Sequence, residues 1–234
     1  MEYHIYYILN DLLNLYSDSG NVKIMEAYAK ELDLEPIVHY IDDIKDIDFK
    51  KADFMMIGGG NDNQTLQAVE ILKPIKKELK EAVENGLSLL AINSGYEMLG
   101  QSSTYEDKVE MLGVFDYETI KLEERVVGNT VLDSDSFDLI IGFSNHANQI
   151  KHSGVYLGKV IAKQEDTLSS TKEGFIYKNV IATNLHGPLL VKNPDLVKFF
   201  FNNFAQQKEI ELSFDKIDFT FENKARDVLL KRFI

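Results

Sequence analysis

The stretch Leu89-Leu90-Ala91-Ile92-Asn93-Ser94-Gly95-Tyr96 decides the fold of this chain. Its apolar run ends at Asn93, and a small residue and a glycine follow, so the pattern predicts a buried strand that turns sharply into a helix. A turn of this kind, a nucleophile elbow, holds one side chain above a sheet. Here that side chain is a carboxamide, which is a poor nucleophile near neutral pH. The sequence therefore predicts a catalytic scaffold but leaves open whether the protein is an enzyme.

The first half of the chain alternates short β-rich runs with helical patterns, which is typical of a doubly wound α/β fold. Strands are predicted at 5–9, 37–41, 54–57 and 87–92, and helices at 21–32 and 63–85, the second interrupted at Pro74. Asn85-Gly86 is a stop signal for that helix. We therefore predict one mostly parallel, flavodoxin-like sheet flanked by helices.

From about Val109 the pattern changes to short alternating segments separated by Gly, Asn and Asp. Strands are predicted at 114–122, 126–132, 139–143, 155–161, 175–177 and 180–183, and terminal helices at 194–208 and 219–233. Because no Pro/Gly/Ser-rich linker separates the two halves, we expect these strands to extend or cover the first sheet. The predicted organisation is a single domain spanning residues 1–234.

The charge and amino-acid composition of the chain limit which kinds of partner it can bind. The net charge of −13 argues against nucleic acid or an anionic membrane surface, since both would repel the chain. The sequence has no cysteine, which excludes disulfides, thiolate metal sites and cysteine nucleophiles. No apolar run is long enough for a membrane span, and no export signal is visible at the N-terminus, so a cytoplasmic location is expected.

The triplet Gly58-Gly59-Gly60 follows a predicted strand and precedes a helix. Its backbone N–H groups could converge beside the elbow and stabilise an oxyanion. The alternative is a tight turn that needs glycine for positive φ. The triplet lacks the GKS or GKT ending of a phosphate loop, which disfavours nucleotide binding.

His186, in Thr183-Asn184-Leu185-His186-Gly187-Pro188, follows an apolar strand, where ligands gather in α/β sheets. It is a candidate general base, and a hydrogen-bonded turn histidine is the alternative. Arg125 lies at a strand end and could clamp a carboxylate, unless it is an exposed arginine neutralised by Glu123 and Glu124. No His, Asp and Glu set has metal-ligand spacing, so we predict neither a metal nor a cofactor.

These segments together resemble the glutamine amidotransferases of the cobyric acid synthase (CobB/CobQ) type, and most closely their GatD branch. The resemblance runs over nearly the whole chain and rests on the order of several motifs. They are Asn14-Leu15-Tyr16-Ser17-Asp18-Ser19-Gly20-Asn21, Gly58-Gly59-Gly60-Asn61-Asp62, the elbow, Gly142-Phe143-Ser144-Asn145-His146, and Tyr177-Lys178-Asn179 leading to Leu185-His186-Gly187-Pro188.

The resemblance implies a site and a partner. A cysteine at the elbow attacks the amide of glutamine in that family, and it maps onto Asn93. His186 would be the base, Gly59 and Ser94 the backbone oxyanion donors, with Gly60 beside them, and Arg125 the contact to glutamine. The implied partner is a Mur-ligase-like ATP-dependent synthetase of the MurT type, and the implied reaction is amidation of the D-glutamate of lipid II.

Further departures accompany the loss of the cysteine. Ser94 replaces a glycine of the family, Glu97 replaces a glutamine, and Asn148-Gln149 replaces a Gly-Arg segment. Clustered changes indicate relaxed constraint and predict a pseudoenzyme retained as a subunit. The alternatives are an active glutaminase that uses Ser94, or a non-catalytic module that binds glutamine or a related amino acid through the Asn93 amide.

Overall fold

A computed structural model describes residues 1–105, 107–163 and 171–233. The strands are Glu2–Ile8 (β1), Glu35–Ile41 (β2), Phe54–Ile57 (β3), Leu89–Ile92 (β4), Ser102–Thr104 (β5), Lys108–Glu110 (β6), Glu118–Ser134 (β7), Asp138–Lys151 (β8), Gly158–Lys163 (β9), Lys172–Glu173 (β10), Phe175–Tyr177 (β11), Val180–Thr183 (β12) and Leu185–His186 (β13). The α-helices are Ser19–Glu31 (α1), Asp62–Leu72 (α2), Lys76–Glu84 (α3), Ser94–Met98 (α4), Leu189–Lys192 (α5), Pro194–Lys208 (α6) and Thr220–Phe233 (α7).

The main sheet has six strands in the order β11-β12-β4-β3-β1-β2. All neighbours are parallel except the edge strand β11, which runs antiparallel to β12. The strand order reverses around β1 and β3, as in flavodoxin-like sheets, where ligands bind beyond the carboxyl ends of the strands. The predicted α/β class with a mostly parallel sheet is confirmed.

Helices cover both faces of this sheet because its strands are apolar on both sides. In β4, Leu90 and Ile92 pack into one core with Phe200 and Phe201 of α6, whereas Leu89 and Ala91 pack into the other. Successive side chains of a strand point to opposite faces, so a continuous apolar run needs two covering layers. Full burial of each large apolar side chain contributes about 1.5–3 kcal/mol.

The later strands correct one expectation. Strands β5 to β10, with β13, form a second sheet, in which β10-β9-β7-β5-β6 are successive neighbours and β8 pairs β7 and β13, whereas β11 and β12 extend the first sheet as expected. The segments predicted at 114–122 and 126–132 belong to the single 17-residue strand β7, which begins at Glu118. Its pairing with β8 shifts register between Lys121 and Val126. The alternation of apolar and polar residues is interrupted at this irregularity, and for this reason the sequence predicted two strands where the structure has one.

The helix boundaries agree closely with the predictions, whereas β8 runs from Asp138 to Lys151 instead of the predicted 139–143, and β9 from Gly158 to Lys163 instead of 155–161. The helical pattern around Pro74 is α2 and α3 joined by a 3₁₀ turn at Lys73–Ile75. Helix α6 has the predicted bounds, and α7 begins one residue later than predicted. No helix within the described ranges combines the length and apolarity needed to cross a bilayer.

Candidate active site

The elbow between β4 and α4 has the strained geometry that the sequence predicted. Asn93 adopts φ 50° and ψ −104°, a region that costs a non-glycine residue about 1–3 kcal/mol. Two backbone bonds hold it, from Asn93 N–H to Thr183 O (2.8 Å) and from Gly95 N–H to Gly58 O (3.2 Å). A Cβ on Gly95 would lie 2.4 Å from the Ile57 carbonyl oxygen, so only glycine permits this close approach.

His186 lies on β13, the short strand that follows β12 and pairs with β8 of the second sheet. It is fully buried, and its Nδ1 lies 3.1 Å from Oδ1 of the equally buried Asp18. Since the carboxylate accepts, Nδ1 carries the proton and Nε2 is left as an acceptor. Nε2 has no hydrogen-bond partner among the described residues. A histidine oriented in this way by a carboxylate is suited to act as a general base.

Sequence reasoning missed Asp18 as a site residue. It lies in the loop between β1 and α1, inside one of the segments that carry the family resemblance. The signal was an acidic residue in that motif, but its pairing with a histidine 168 positions later depends on the fold. Gly59 N–H also donates to Asp18 Oδ2 (2.9 Å), which fixes the carboxylate from a second side.

Three predicted positions converge at Gly59. A Cβ there would lie 2.8 Å from His186 Cε1, 3.2 Å from Asp18 Oδ2 and 3.3 Å from Asn93 Cβ. No side chain fits into this space, so the glycine is required by packing. The structure thus brings Asn93, His186 and Gly59 together, as the sequence predicted, and adds Asp18.

The Ser94 hydroxyl is held in a separate network. It is buried, donates to Gly60 O (2.9 Å), and accepts from Gly60 N–H (2.9 Å) and from Thr65 Oγ1 (2.7 Å). The nearer acceptor for its proton is Gly60 O, with Asn93 Oδ1 at 3.5 Å, and its own acceptor sites face the glycine turn and α2. This arrangement suits a structural clamp rather than an attacking group.

The predicted oxyanion donors have other partners. Gly59 N–H donates to Asp18 and Gly60 N–H donates to Ser94, so neither points freely towards a substrate here. The N–H of Ser94 is at the first position of α4, where a helix offers it no backbone acceptor. The oxyanion role of Ser94 N–H stays a prediction.

A cavity of about 560 Å³ opens above the elbow. It is lined mainly by polar side chains of the loops and helices at the elbow and of strands of the second sheet, including those of Tyr16, Asn93, Glu97, Arg125 and Asn148. This volume suits a small-molecule ligand. The Tyr16 ring, which lines the cavity, packs edge-on against His186, with ring centres 5.0 Å apart, while His186 itself is fully buried.

Arg125 stands at the mouth of the cavity, where the irregular pairing of β7 and β8 places it. Bulges of this kind commonly aim side chains into sites. Its Nη1 donates to Asn145 Oδ1 (2.9 Å), and Asn145 in turn donates to the Tyr16 hydroxyl. Arg125 therefore lies within β7, and not at a strand end as the sequence indicated, but it lines the same cavity as Asn93 and is linked to Tyr16 through Asn145.

Glu97, on α4, lines the cavity and is only 7% exposed. Its Oε1 accepts from Ser103 Oγ (2.6 Å) and Tyr105 OH (2.7 Å), and its Oε2 accepts from Asn148 Nδ2 (3.0 Å). Burial raises the pKa of this carboxyl, against the opposing effect of the three hydrogen bonds. Sequence reasoning noted Glu97 only as a departure from the family pattern.

Within the described ranges, no group of three or more His, Asp or Glu side chains is arranged to hold a metal ion. The polar groups at the elbow are instead an imidazole, a carboxylate and amides. This set can orient a base and bind a polar ligand, but it lacks a thiol or a free hydroxyl for covalent attack.

Comparisons with known proteins agree with this geometry. The model of the CobB/CobQ-like glutamine amidotransferase domain matches residues 4–194. The lipid II isoglutaminyl synthase (glutamine-hydrolyzing) subunit GatD of Staphylococcus aureus is 36% identical over 99% of this chain and 96% of its own. The subunit of the same name from Streptococcus pneumoniae is 28% identical over 82% of this chain and 76% of its own.

A solved glutamine amidotransferase structure has the same fold, with a TM-score of 0.60 and 16% identity, over 86% of this chain and 98% of its own. The fold, the order of motifs and the full-length similarity to GatD all point to one family. This chain belongs to the CobB/CobQ-like glutamine amidotransferase family.

Proposed function

We propose that this chain is a GatD-like subunit of a complex that amidates the D-glutamate of lipid II, and that it does not itself hydrolyse glutamine. The observation that carries the proposal is Asn93, which occupies the elbow with strained geometry and packs beside the His186–Asp18 pair. The framework for nucleophilic catalysis surrounds a side chain that cannot attack.

The chemistry of the elbow supports the loss of glutaminase activity. Covalent hydrolysis of an amide needs a nucleophile that a base can deprotonate, and a carboxamide nitrogen is not one. The Ser94 hydroxyl donates to Gly60 O, so its use would require breaking that bond and turning the side chain. Removing a nucleophile typically costs several kcal/mol of transition-state stabilisation.

The retained parts of the site support a binding role. The cavity of about 560 Å³ is large enough for glutamine, and Arg125 at its mouth would take the α-carboxylate through its planar fork. The Asn93 amide would donate to or accept from the substrate amide. Glutamine bound here would stay intact.

Its relatives support a role within a complex, because both GatD proteins are named as subunits of lipid II isoglutaminyl synthase. The partner proposed for this chain is a Mur-ligase-like, MurT-type ATP-dependent synthetase, and the proposed setting is the cytoplasm. A single domain spanning residues 1–234 would present the cavity to that partner. Without glutaminase activity, the nitrogen would come from free ammonia.

Co-expression with the Mur-ligase-like protein of the same organism tests the partner. We expect the two chains to co-elute in size-exclusion chromatography, and separate elution would count against the complex. The assembled complex is then supplied with ATP and lipid II, with ammonium or glutamine as nitrogen source. Ammonium should support amidation and glutamine should not.

Glutamate release by the purified chain, alone and with the partner, tests the catalytic half of the proposal. We expect background release in both cases, with Ser94→Ala unchanged. Release above background that disappears in Ser94→Ala would replace this proposal by the alternative of an active, serine-dependent glutaminase.

A further inference from the structure

The elbow holds the Asn93 backbone in a conformation that brings two groups of the chain within reach of each other. Its ψ of −104° is far from the values of helices and strands. At this ψ the Cα–Cβ bond of an L-residue is nearly eclipsed with the bond from its carbonyl carbon to the next nitrogen. The Ser94 nitrogen therefore lies on the same side of the backbone as the Asn93 side chain.

This eclipsed arrangement is the one that closes a five-membered ring. Attack of the Ser94 nitrogen on Asn93 Cγ gives a ring of that nitrogen with C, Cα, Cβ and Cγ of Asn93. Such a ring is close to planar, so it needs Cβ and the nitrogen to point in nearly the same direction. In helices and strands the backbone would first have to rotate out of its energy minimum, which protects an asparagine from cyclisation. At Asn93 the fold already supplies the rotation.

Both reacting groups are available. The Ser94 N–H stands at the first position of α4, where the helix has no acceptor for it, and no other acceptor is recorded within the described ranges. The Asn93 side chain is half-buried and lines the cavity. Among the described residues, its amide has a single recorded hydrogen bond, a long one of 3.5 Å from Ser94 Oγ to Oδ1. The amide is therefore free to turn towards the nitrogen.

A base stands beside the same turn. His186 Nε2 is buried without a hydrogen-bond partner in the described part of the chain, and Asp18 holds the proton of the ring on Nδ1. The position of a Cβ on Gly59 would be 2.8 Å from His186 Cε1 and 3.3 Å from Asn93 Cβ. The imidazole is therefore placed to take up a proton released at the elbow.

We propose that Asn93 is a site of self-modification, in which the Ser94 nitrogen attacks Asn93 Cγ and expels the side-chain nitrogen as ammonia. As the bond to Cγ forms, the proton of the Ser94 nitrogen passes to His186 Nε2, and negative charge collects on Oδ1, which faces the Ser94 hydroxyl. The Cγ–Nδ2 bond then breaks, and His186 returns the proton to the departing nitrogen. Water opens the resulting cyclic imide at one of its two carbonyl carbons, which gives aspartate or isoaspartate at position 93.

This conversion changes the elbow with time. A newly made chain has a neutral carboxamide there, whereas aspartate adds a negative charge beside the His186–Asp18 pair. Isoaspartate lengthens the backbone by one methylene in a turn that is closely packed at Gly95. The inference goes beyond the proposed function, because it concerns the chemistry of the chain itself and needs neither glutamine nor a partner.

Mass-spectrometric peptide mapping of the full-length chain during incubation at neutral pH tests the proposal. We expect a species lighter by one ammonia, followed by aspartate and isoaspartate at position 93. Conversion should be at least about tenfold faster in the folded chain than in the chain unfolded in guanidinium chloride, because folding pre-orients the attack.

Asn85 is a control within the same molecule. It precedes Gly86, which hinders the attack less than Ser94 does, but its ψ is 6° and the Gly86 N–H donates to Val83 O (3.1 Å). Folding should therefore slow conversion at Asn85 and accelerate it at Asn93.

His186→Gln tests the base, since it keeps a polar side chain and removes the imidazole. It should slow conversion at least about tenfold, while His39→Gln, on the edge strand β2, should leave the rate unchanged. Circular dichroism verifies that each variant is folded.

Three outcomes would overturn the proposal: Asn93 stays intact, it converts no faster in the folded than in the unfolded chain, or it gives aspartate with neither imide nor isoaspartate, as direct attack by water would. An unchanged rate in His186→Gln would overturn the role of the imidazole. None of these results depends on glutamate release or on co-elution with the synthetase, so failure of the proposed function is distinguishable from failure of this inference.

Discussion

The two walls of the cavity differ in what they retain. The elbow wall, built from the carboxyl ends of the main sheet, keeps a strained turn at Asn93 and the His186–Asp18 pair. The adjoining wall, which runs from α4 to the second sheet, has a buried carboxylate at Glu97 among neutral donors. The comparison teaches that close backbone packing fixes the elbow around a carboxamide, whereas side-chain hydrogen bonds fix the wall at Glu97.

The largest effect is expected when a thiol is placed at the elbow. Asn93→Cys places a thiol at the elbow beside the His186–Asp18 pair, so we expect glutamate release to rise at least about 100-fold above the unmodified chain. Coupled detection of glutamate measures it. Asn93→Cys combined with Asp18→Asn is the control and should lose most of the gain, because the histidine is no longer oriented.

Equal release by Asn93→Cys and the unmodified chain would contradict the assignment of the missing activity to residue 93 alone. The double variant Asn93→Cys with Glu97→Gln then becomes informative, because it also restores the glutamine implied by the family resemblance. If glutamate release rises only in the double variant, Glu97 would be the residue that prevents hydrolysis once a thiol is present.

A substitution in the elbow backbone should lower the free energy of unfolding more than a substitution of any ligand-facing residue. Gly95→Ala forces a Cβ to within 2.4 Å of the Ile57 carbonyl oxygen, and we expect it to lower the free energy of unfolding by about 2–4 kcal/mol. Gly113→Ala, which has φ +66° and faces only the flexible Gln101 side chain, should cost about 1 kcal/mol. Urea denaturation compares the two, and equal losses would contradict the packing argument.

The Ser94 network gives a smaller effect on stability. Ser94→Ala removes the hydroxyl that bonds Gly60 and Thr65, so we expect a loss of about 1–3 kcal/mol in unfolding free energy. Thermal or urea denaturation measures this loss. A stability indistinguishable from that of the unmodified chain would remove the structural role assigned to this hydroxyl.

Glu97→Gln should have the smallest effect on stability, and it should stabilise the fold instead of destabilising it. The folded-state pKa of Glu97 is raised by burial, so its unfavourable contribution grows as the pH rises through that pKa and disappears at low pH. The variant should therefore melt on the order of 2 °C higher at neutral pH and show a smaller difference at acidic pH. Calorimetry at pH 4 and pH 7 measures it, and a lower melting temperature at neutral pH would contradict the burial argument.

Local pattern predicted much of the elbow wall. The apolar run before Asn93, the glycine triplet and the strand before His186 each identified a strand end, and parallel strands bring such ends to one edge. Asp18 was missed because its role arises from a contact over 168 positions. Helix α6 was predicted with its observed bounds because its start and stop signals are local.

The wall around Glu97 was harder to predict from sequence because its residues are brought together by long-range strand pairing. The irregular register of β7 against β8, which sets Arg125 at the cavity mouth, has no period to detect. Glu97 reads in sequence as an ordinary charged helix residue, and its burial is evident only when Ser103 and Asn148 close around it. Local sequence patterns likewise did not predict that β5 to β10 pair into a second sheet.

Covalent labelling with an electrophilic glutamine analogue tests the central claim most directly. The intact masses of the unmodified chain and of Asn93→Cys are compared after incubation with the analogue. The account predicts no adduct on the unmodified chain and one adduct, mapped to position 93, on Asn93→Cys. An adduct on the unmodified chain, at Ser94 or elsewhere in the cavity, would contradict it.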